Sequence, residues 1–280
     1  EFFVLDVGQG SASLIRTADG KNILIDGGPD AKVLTELGKI MFFYDRVIDV
    51  LIVTHSHDDH IGGLIDIFER YDVKTVIYTG VVDNTKIYQQ FLEAIKNEQS
   101  KIIIASAGQE YCLSLFQVET NENNIDCETK LKILYPISSI KNKEIENPNN
   151  GSVVTFFEQG INKIIITGDL ENEGESELVD AWQNKIYFNE KDDVIYVVGH
   201  HGSNTSSSKK LLDYIKPDYS IISVGKKNKF GHPSLMILER LKARSKQVWR
   251  TDEVGSVKIF IKNNSWIIKP LKISFFDLFK

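Results

Sequence analysis

The chain has 280 residues, a formal net charge of −6, 42% hydrophobic and 10% aromatic residues, which supports a buried core and excludes both a disordered chain and a protein coated in positive charge. No apolar run approaches the ~18 residues that a membrane-spanning helix needs, and the opening Glu-Phe-Phe-Val-Leu-Asp reads as a strand, unlike a signal peptide. The absent initiator methionine points to a chain that begins inside a longer polypeptide, while Cys112 and Cys127 read as ordinary thiols in a reducing compartment, cytoplasmic by default.

In chain order, FFVLDV (2–7), ASLIRT (12–17) and NILIDGG (22–28) are short, β-rich and separated by glycines or polar turns. A helix is expected over 31–43, the buried strand VIDVLIV over 47–53, a helix over 64–71, the strand VKTVIY, a helix over 85–97 and the strand KIIIAS. YCLSLFQVET and KLKILYP read as strands around an acidic loop, 120–129. SVVTFFE, KIIITGD, a helix over 174–182, DVIYVVGHH, the helix SSKKLLDYI, YSIISVG, a helix from Pro233 and the strands QVWRTD and SVKIFIK repeat the plan. Two blocks of strands interleaved with helices predict an α/β fold of two sheets packed face to face with helices outside. The loop KNKEIENPNNG (141–151) is the expected boundary between internal halves, about 1–145 and 150–270, of one integrated domain.

Charge is unevenly spread. From Lys209 to Arg250 the chain is net +8, leaving −14 elsewhere, so an anionic partner is expected at that segment. All six histidines fall in three motifs that follow apolar runs: His55, His57 and His60 in THSHDDHIGG, His200 and His201 in VVGHHGSNTS, and His232 in KFGHPS. Imidazole and carboxylate are the usual ligands of divalent first-row metals, and this number of candidates suggests two ions. Alternate residues at a strand end point the same way, so His55 and His57 suit one ion, with Asp59 and His60, past the turn, suiting a second and Asp58 left in solvent. Asp169, ending IITGD, is either a carboxylate bridging the ions or the N-cap of the following helix.

LDVGQGSA, LIDGG, THSHDDHIGG, IITGD, VVGHHGSNTS, NKFGHPS and RTDEVGSV, in this order over residues 1 to about 262, resemble the metallo-β-lactamase superfamily, and within it the C-terminal domain of the ComEC DNA-uptake branch. The resemblance implies an αββα sandwich with two divalent ions, Mn²⁺ or Zn²⁺, at the sheet edges, and nuclease or phosphodiesterase activity through metal-activated hydroxide. It implies His55 and His57 as ligands of the first ion, Asp59 and His60 of the second, Asp169 as the bridge and His232 as the late histidine completing the second site. It also implies Asp26 as a brace for the HxHxDH loop and His200 or His201 beside the scissile group, with Ser203 near a phosphate.

The pattern departs from the superfamily in two places. No histidine lies between His60 and His200, where Asn149, Asn150 or Ser152 stands instead, with Asn150, Ser152 and Ser203 as candidates for an additional ligand or substrate contact, so the first site should be weaker and favour Mn²⁺. Ser11 stands where the branch often has aspartate. In the expected chemistry Asp59, His200 and His201 act at the reacting group, and Lys226, Lys227 and Lys229 bring positive charge beside His232 for a nucleic-acid substrate. A small-substrate esterase on the same site, of phosphorylcholine-phosphodiesterase or lactonase type, is the alternative, and a non-catalytic sensor domain a third reading. Membership of a membrane DNA-uptake protein would supply partner domains and place the chain outside the cytoplasm.

Overall fold

The computed structural model describes residues 1–113, 117–118, 127–183, 185 and 187–272, the pair 117–118 as backbone only. The first half contributes β1 (Phe2–Val4), β2 (Ser13–Arg16), β3 (Asn22–Ile25), β4 (Val47–Ile52), β5 (Asp72–Tyr78) and β6 (Lys101–Ile104). Then come β7 (Glu110–Cys112), β8 (Gln117–Val118), β9 (Lys130–Tyr135), β10 (Val154–Gln159), β11 (Asn162–Ile166), β12 (Asp193–Val197), β13 (Tyr219–Ile222) and β14 (Gln247–Arg250). The hairpin β15 (Val257–Lys262) and β16 (Ser265–Pro270) ends the series. These strands form two eight-stranded sheets, ordered β16-β15-β1-β2-β3-β4-β5-β6 and β14-β13-β12-β11-β10-β9-β7-β8.

Each sheet is mixed. In the first, β3 to β6 run parallel and the rest antiparallel; in the second, β11 to β14 run parallel and the rest antiparallel. The change of sheet falls between β6 and β7, ahead of the loop 141–151 expected to divide the halves, and β15 returns to pair with β1. The pairing carries no mark in local sequence, because it joins residues such as Phe2 and Ile259 from opposite ends of the chain.

Near-continuous apolar strands follow from burial on both faces. Phe2, Val4, Ile23, Ile25, Val50 and Ile52 point between the sheets, where they meet Leu131, Ile133, Ile164, Ile166, Ile195 and Val197. Their neighbours Phe3, Leu5, Leu24 and Leu51 point outward against α1 (Lys32–Leu37), α3 (Leu64–Arg70) and α4 (Lys86–Glu98). On the far side Phe156, Ile165, Tyr196 and Ile222 pack against α5 (Asn172–Ala181), α6 (Lys209–Ile215) and α7 (Leu235–Lys242). Two short helices, α2 (Asp58–Ile61) and α8 (Thr251–Val254), complete the set, and no described helix is long and apolar enough to cross a membrane.

Two expectations change. The helix over 31–43 stops at Leu37, because the apolar run after Gly38 divides into a buried Met41 and exposed Phe42, Phe43 and Tyr44. Cys112 and Cys127 are not free thiols but a disulfide, their Cα atoms 5.7 Å apart; their 15-residue separation gives no hint that Cys112, at the end of β7, meets the segment leading into β9. The acidic loop 120–129 lies outside the described residues up to 126.

Candidate active site

The parallel strands deliver the chemistry. Asp26 follows β3, the segment Thr54–His60 follows β4, Asp169 follows β11, His200 and His201 follow β12, and Ser223 follows β13, so all emerge at the carboxyl ends of parallel strands. Two glycines make the convergence possible. A Cβ on Gly63 would stand 2.2 Å from the Gly27 carbonyl oxygen, so the Gly-Gly after HSHDDH lets that loop lie against LIDGG. Gly168 has φ +55° and a Cβ there would meet Thr54 at 2.9 Å, so glycine is required to turn Asp169 into the site.

Asp169 is the centre. Its side chain is buried, with Oδ1 3.1 Å from His60 Nε2 and Oδ2 3.6 Å from His201 Nε2, 3.8 Å from His200 Nε2 and 4.0 Å from His55 Nε2. The Ser152 hydroxyl accepts from its backbone N–H at 3.1 Å. The N-cap of α5 is Glu171, so Asp169 is not a helix cap.

Asp26 orders the opposite side. Its carboxylate accepts from the Thr54 N–H at 2.8 Å and hydroxyl at 2.7 Å, and lies 2.7 Å from His60 Nδ1. Fixing Nδ1 this way turns His60 Nε2 toward Asp169. His201 is fixed alike, its Nδ1 donating to the Ser223 carbonyl at 3.0 Å while Nε2 lies 3.1 Å from Asp59.

His200 and His201 both adopt left-handed backbone, at φ 50° and 53°, a conformation costing about 1–2 kcal/mol per non-glycine residue. The surrounding loop holds it. Glu175, fully buried, accepts from the Ser207 N–H at 2.6 Å and the Ser208 N–H at 2.7 Å. His200 Nδ1 lies 3.1 Å from the Thr205 hydroxyl and 3.4 Å from Glu171 Oε1. Glu171 also accepts from Asn147 at 2.8 Å, Asn149 at 3.0 Å and Thr205 at 3.1 Å, tying the 147–150 turn to the HHGSNTS loop. Neither Glu171 nor Glu175 was expected from sequence; the one available signal was an acidic residue two positions after Asp169.

The electrostatics are those of a negative centre ringed by imidazoles. Burial alone would lower the His60 pKa, but the charges of Asp169 and Asp26 outweigh it and hold His60 well above the ordinary value. His201 is raised for the same reason, burial being overcome by Asp169 and Asp59. Burial and the neighbouring His60 hold His55 well below, and burial lowers His200 and His232. Asp169 is driven well below the usual carboxylate range because His60 and His201 overcome its desolvation, and Asp59 is lowered by its hydrogen bond to His201 against the same penalty.

These donors fit a divalent metal. One ligand atom each from Asp59, His60, Asp169 and His201 lie within 4.8 Å of one another. Among the described residues His55 Nε2 and His60 Nε2 are buried with no hydrogen-bond partner, the latter despite its 3.1 Å approach to Asp169; unpaired buried nitrogens are costly unless another group meets them. His55 and His57 sit beside this cluster in edge contact at 4.8 Å.

Of the later histidines, His201 stands against Asp59 and Asp169, while His232 lies outside that cluster, with its ring 5.9 Å from His200. The cause is the paired left-handed turn, which drives His201 inward and which no local pattern announces. Asn150 accepts from the Glu171 N–H at 3.2 Å, and Ser203 is 3.1 Å from the Thr205 hydroxyl, so both, like Ser152, brace the loops. Asn149 Oδ1 is buried without a partner. Lys226, Lys227 and Lys229 are exposed and form no ion pair among the described residues. Other cations of the +8 segment are neutralised, Lys210 by Asp180, Arg244 by Asp213, Lys246 by Asp218 and Arg250 by Asp252. A cavity of about 350 Å³ opens beside His55 and His57, lined by Val81, Val82, Asp83, Glu144 and Ile145.

The family model of the metallo-beta-lactamase superfamily matches residues 5–87 and 135–226. The chain is similar to ComE operon protein 3 of Bacillus subtilis, 29% identical over 94% of this chain and 33% of that protein, and to competence protein ComA of Neisseria gonorrhoeae, 29% identical over 91% and 31%. It thus spans about a third of the curated relatives it matches. Among solved structures, the metallo-beta-lactamase fold protein YhfI of Bacillus subtilis shares the fold, with a TM-score of 0.50 at 11% identity over 89% of this chain and 94% of that one. With the sandwich and the histidine–aspartate cluster at its sheet edges in agreement with the family model, the chain belongs to the metallo-β-lactamase superfamily.

Proposed function

We propose that this chain is a metal-dependent phosphodiesterase that cleaves nucleic acid, with DNA as the favoured substrate. The observation that carries the reading is the placement of Asp169, within 4.0 Å of four imidazoles, in a site whose neighbouring loop bears three unpaired lysines. The names of the competence-protein relatives support it.

In this reading Asp59, His60, Asp169 and His201 would hold one divalent ion, and His55 and His57, beside them, would serve a second. Bound divalent ions lower the pKa of water and neutralise charge developing on a phosphoryl oxygen. Asp26 and the Ser223 carbonyl keep Nε2 of His60 and His201 turned inward. His200 is a partly exposed imidazole, oriented at Nδ1 by Thr205 and Glu171 with Nε2 facing the site; Nδ1 carries the proton, so Nε2 is placed to accept one from an attacking water. Lys226, Lys227 and Lys229 hold flanking phosphates.

A second reading has one observation in its favour: the 350 Å³ cavity beside His55 and His57 would take the body of a small ester. Its acidic residues, Asp83 and Glu144, disfavour an anionic one. The deciding experiment assays the purified chain with Mn²⁺, Zn²⁺ or Mg²⁺ against plasmid, single-stranded DNA, RNA and bis-p-nitrophenyl phosphate. Metal-dependent cleavage of a polymer is the expected result. Turnover of the small diester alone would transfer the assignment to a small-substrate hydrolase.

A further inference from the structure

The loop between β13 and α7 carries an aromatic ring that the chemistry above does not use. Phe230 is 56% exposed, yet it is not loose. Its ring stacks on His232, centroids 5.8 Å apart and planes 25° from parallel, and His232 meets His200 at 5.9 Å. Three rings therefore run in a row from solvent to the imidazole whose Nε2 is 3.8 Å from Asp169.

The segment is built to hold that ring. The Asn228 side chain accepts from the Phe230 N–H at 3.2 Å and the His232 N–H at 3.0 Å, and donates to the carbonyls of Gly225 at 3.0 Å and His232 at 2.7 Å. The Gly225 N–H in turn donates to Gln9 at 3.2 Å, anchoring the loop to the glycine-rich turn after β1. Lys226, Lys227 and Lys229 surround the ring in sequence, and the Lys229 ammonium lies 5.2 Å from its centroid. An ordered aromatic face beside unpaired ammonium groups matches the two halves of a nucleotide, a flat base and an anionic phosphate.

We infer that Phe230 is a base-stacking platform for single-stranded nucleic acid, seating an unpaired base while Lys226, Lys227 and Lys229 hold its flanking phosphates beside the metal site. This deepens the nuclease reading and rests on it. Bases in a duplex already stack on their neighbours, so only an unpaired base offers a free face, and any base will serve because each has one. The exposed contact between Lys229 and the ring is weaker than a base stack and yields to it.

The test measures binding in chelator, so that nothing is cut, by anisotropy of labelled strands of one length: oligothymidine, an abasic strand of equal charge, and a duplex. The intact chain is expected to bind oligothymidine about ten-fold more tightly than the abasic strand. Phe230→Ala should erase that difference, Phe230→Trp should restore it, and Asn228→Ala should reduce it by releasing the loop. Equal binding of the base-bearing and abasic strands by the intact chain overturns the stacking role while leaving the nuclease reading intact. Retention of the full difference in Phe230→Ala also overturns it. Failure to bind any strand, with hydrolysis of bis-p-nitrophenyl phosphate in metal, overturns both readings together.

Discussion

His201 Nε2 lies 3.1 Å from Oδ2 of Asp59, a residue 142 positions earlier, and the carbonyl of Ser223 accepts from the other ring nitrogen at 3.0 Å. A carbonyl can only accept, so Nδ1 carries a proton and Nε2 is the atom offered to an ion. His201→Ala should therefore lower metal affinity by more than the roughly 10–100-fold typical of losing an outer partner, whereas His232→Ala should keep its metal. Metal content after dialysis separates the two; equal loss in both would return His232 to the ligand set.

Asp169→Asn keeps the size of the side chain and removes the charge around which His55, His60, His200 and His201 gather. The expected variant is folded, by circular dichroism, but poor in metal and without turnover. Wild-type metal content and activity would reduce Asp169 to a structural residue.

Metal loading should depend steeply on pH. In the metal-free protein burial lowers the pKa of His60 and His201, but the adjacent carboxylates prevail and raise both. A raised pKa carries upward the pH range in which a ligating nitrogen must first give up a proton, so affinity rises with pH, by up to about tenfold per unit for each proton displaced. Titration calorimetry in buffers of different ionisation enthalpy counts those protons; none released would mean that these imidazoles are neutral before the ion arrives.

Lys226, Lys227 and Lys229, changed together to glutamine, should weaken DNA binding and flatten the dependence of log affinity on log salt by up to about 2 for a single strand. Hydrolysis of a small phosphodiester should barely change. An unchanged salt slope would remove these lysines from the substrate path.

The disulfide closes a loop of 15 residues, worth about 3 kcal/mol in the chain-entropy account. Cys127→Ser should lower stability by that order in denaturant unfolding, and reductant should lower the intact chain toward the variant while leaving the variant unmoved. An intact chain indifferent to reductant would show that the link contributes nothing.

What was legible in the sequence was whatever lies within a few residues of its signal. Strands such as VIDVLIV declare themselves because both faces are buried, and THSHDDHIGG concentrates its chemistry in one turn. What was hidden depends on meetings between distant segments. The approach of His201 to Asp59 and Asp169 goes with two successive left-handed residues, His200 and His201, in a loop whose far end is tied to Glu175 through Ser207 and Ser208. The disulfide and the return of β15 to β1 are pairings of the same kind. The +8 of the segment 209–250 was a sum over eleven cations, of which Lys210, Arg244, Lys246 and Arg250 find acids nearby, and only the fold shows which ones do.

The pairing of β1 with β15 also governs when the protein can fold. Phe2 lies opposite Ile259 and Val4 opposite Val257, so β1 is flanked on one side by a strand made more than 250 residues later. Contacts of such sequence separation carry a loop-closure cost before they return any stability, which slows folding. During synthesis, the edge of β1 that will receive β15 stays open until β15 itself has left the ribosome, and an open strand edge is a template for pairing with the wrong chain. Chains halted before β15 are therefore expected to aggregate, not to accumulate as a stable half-sandwich.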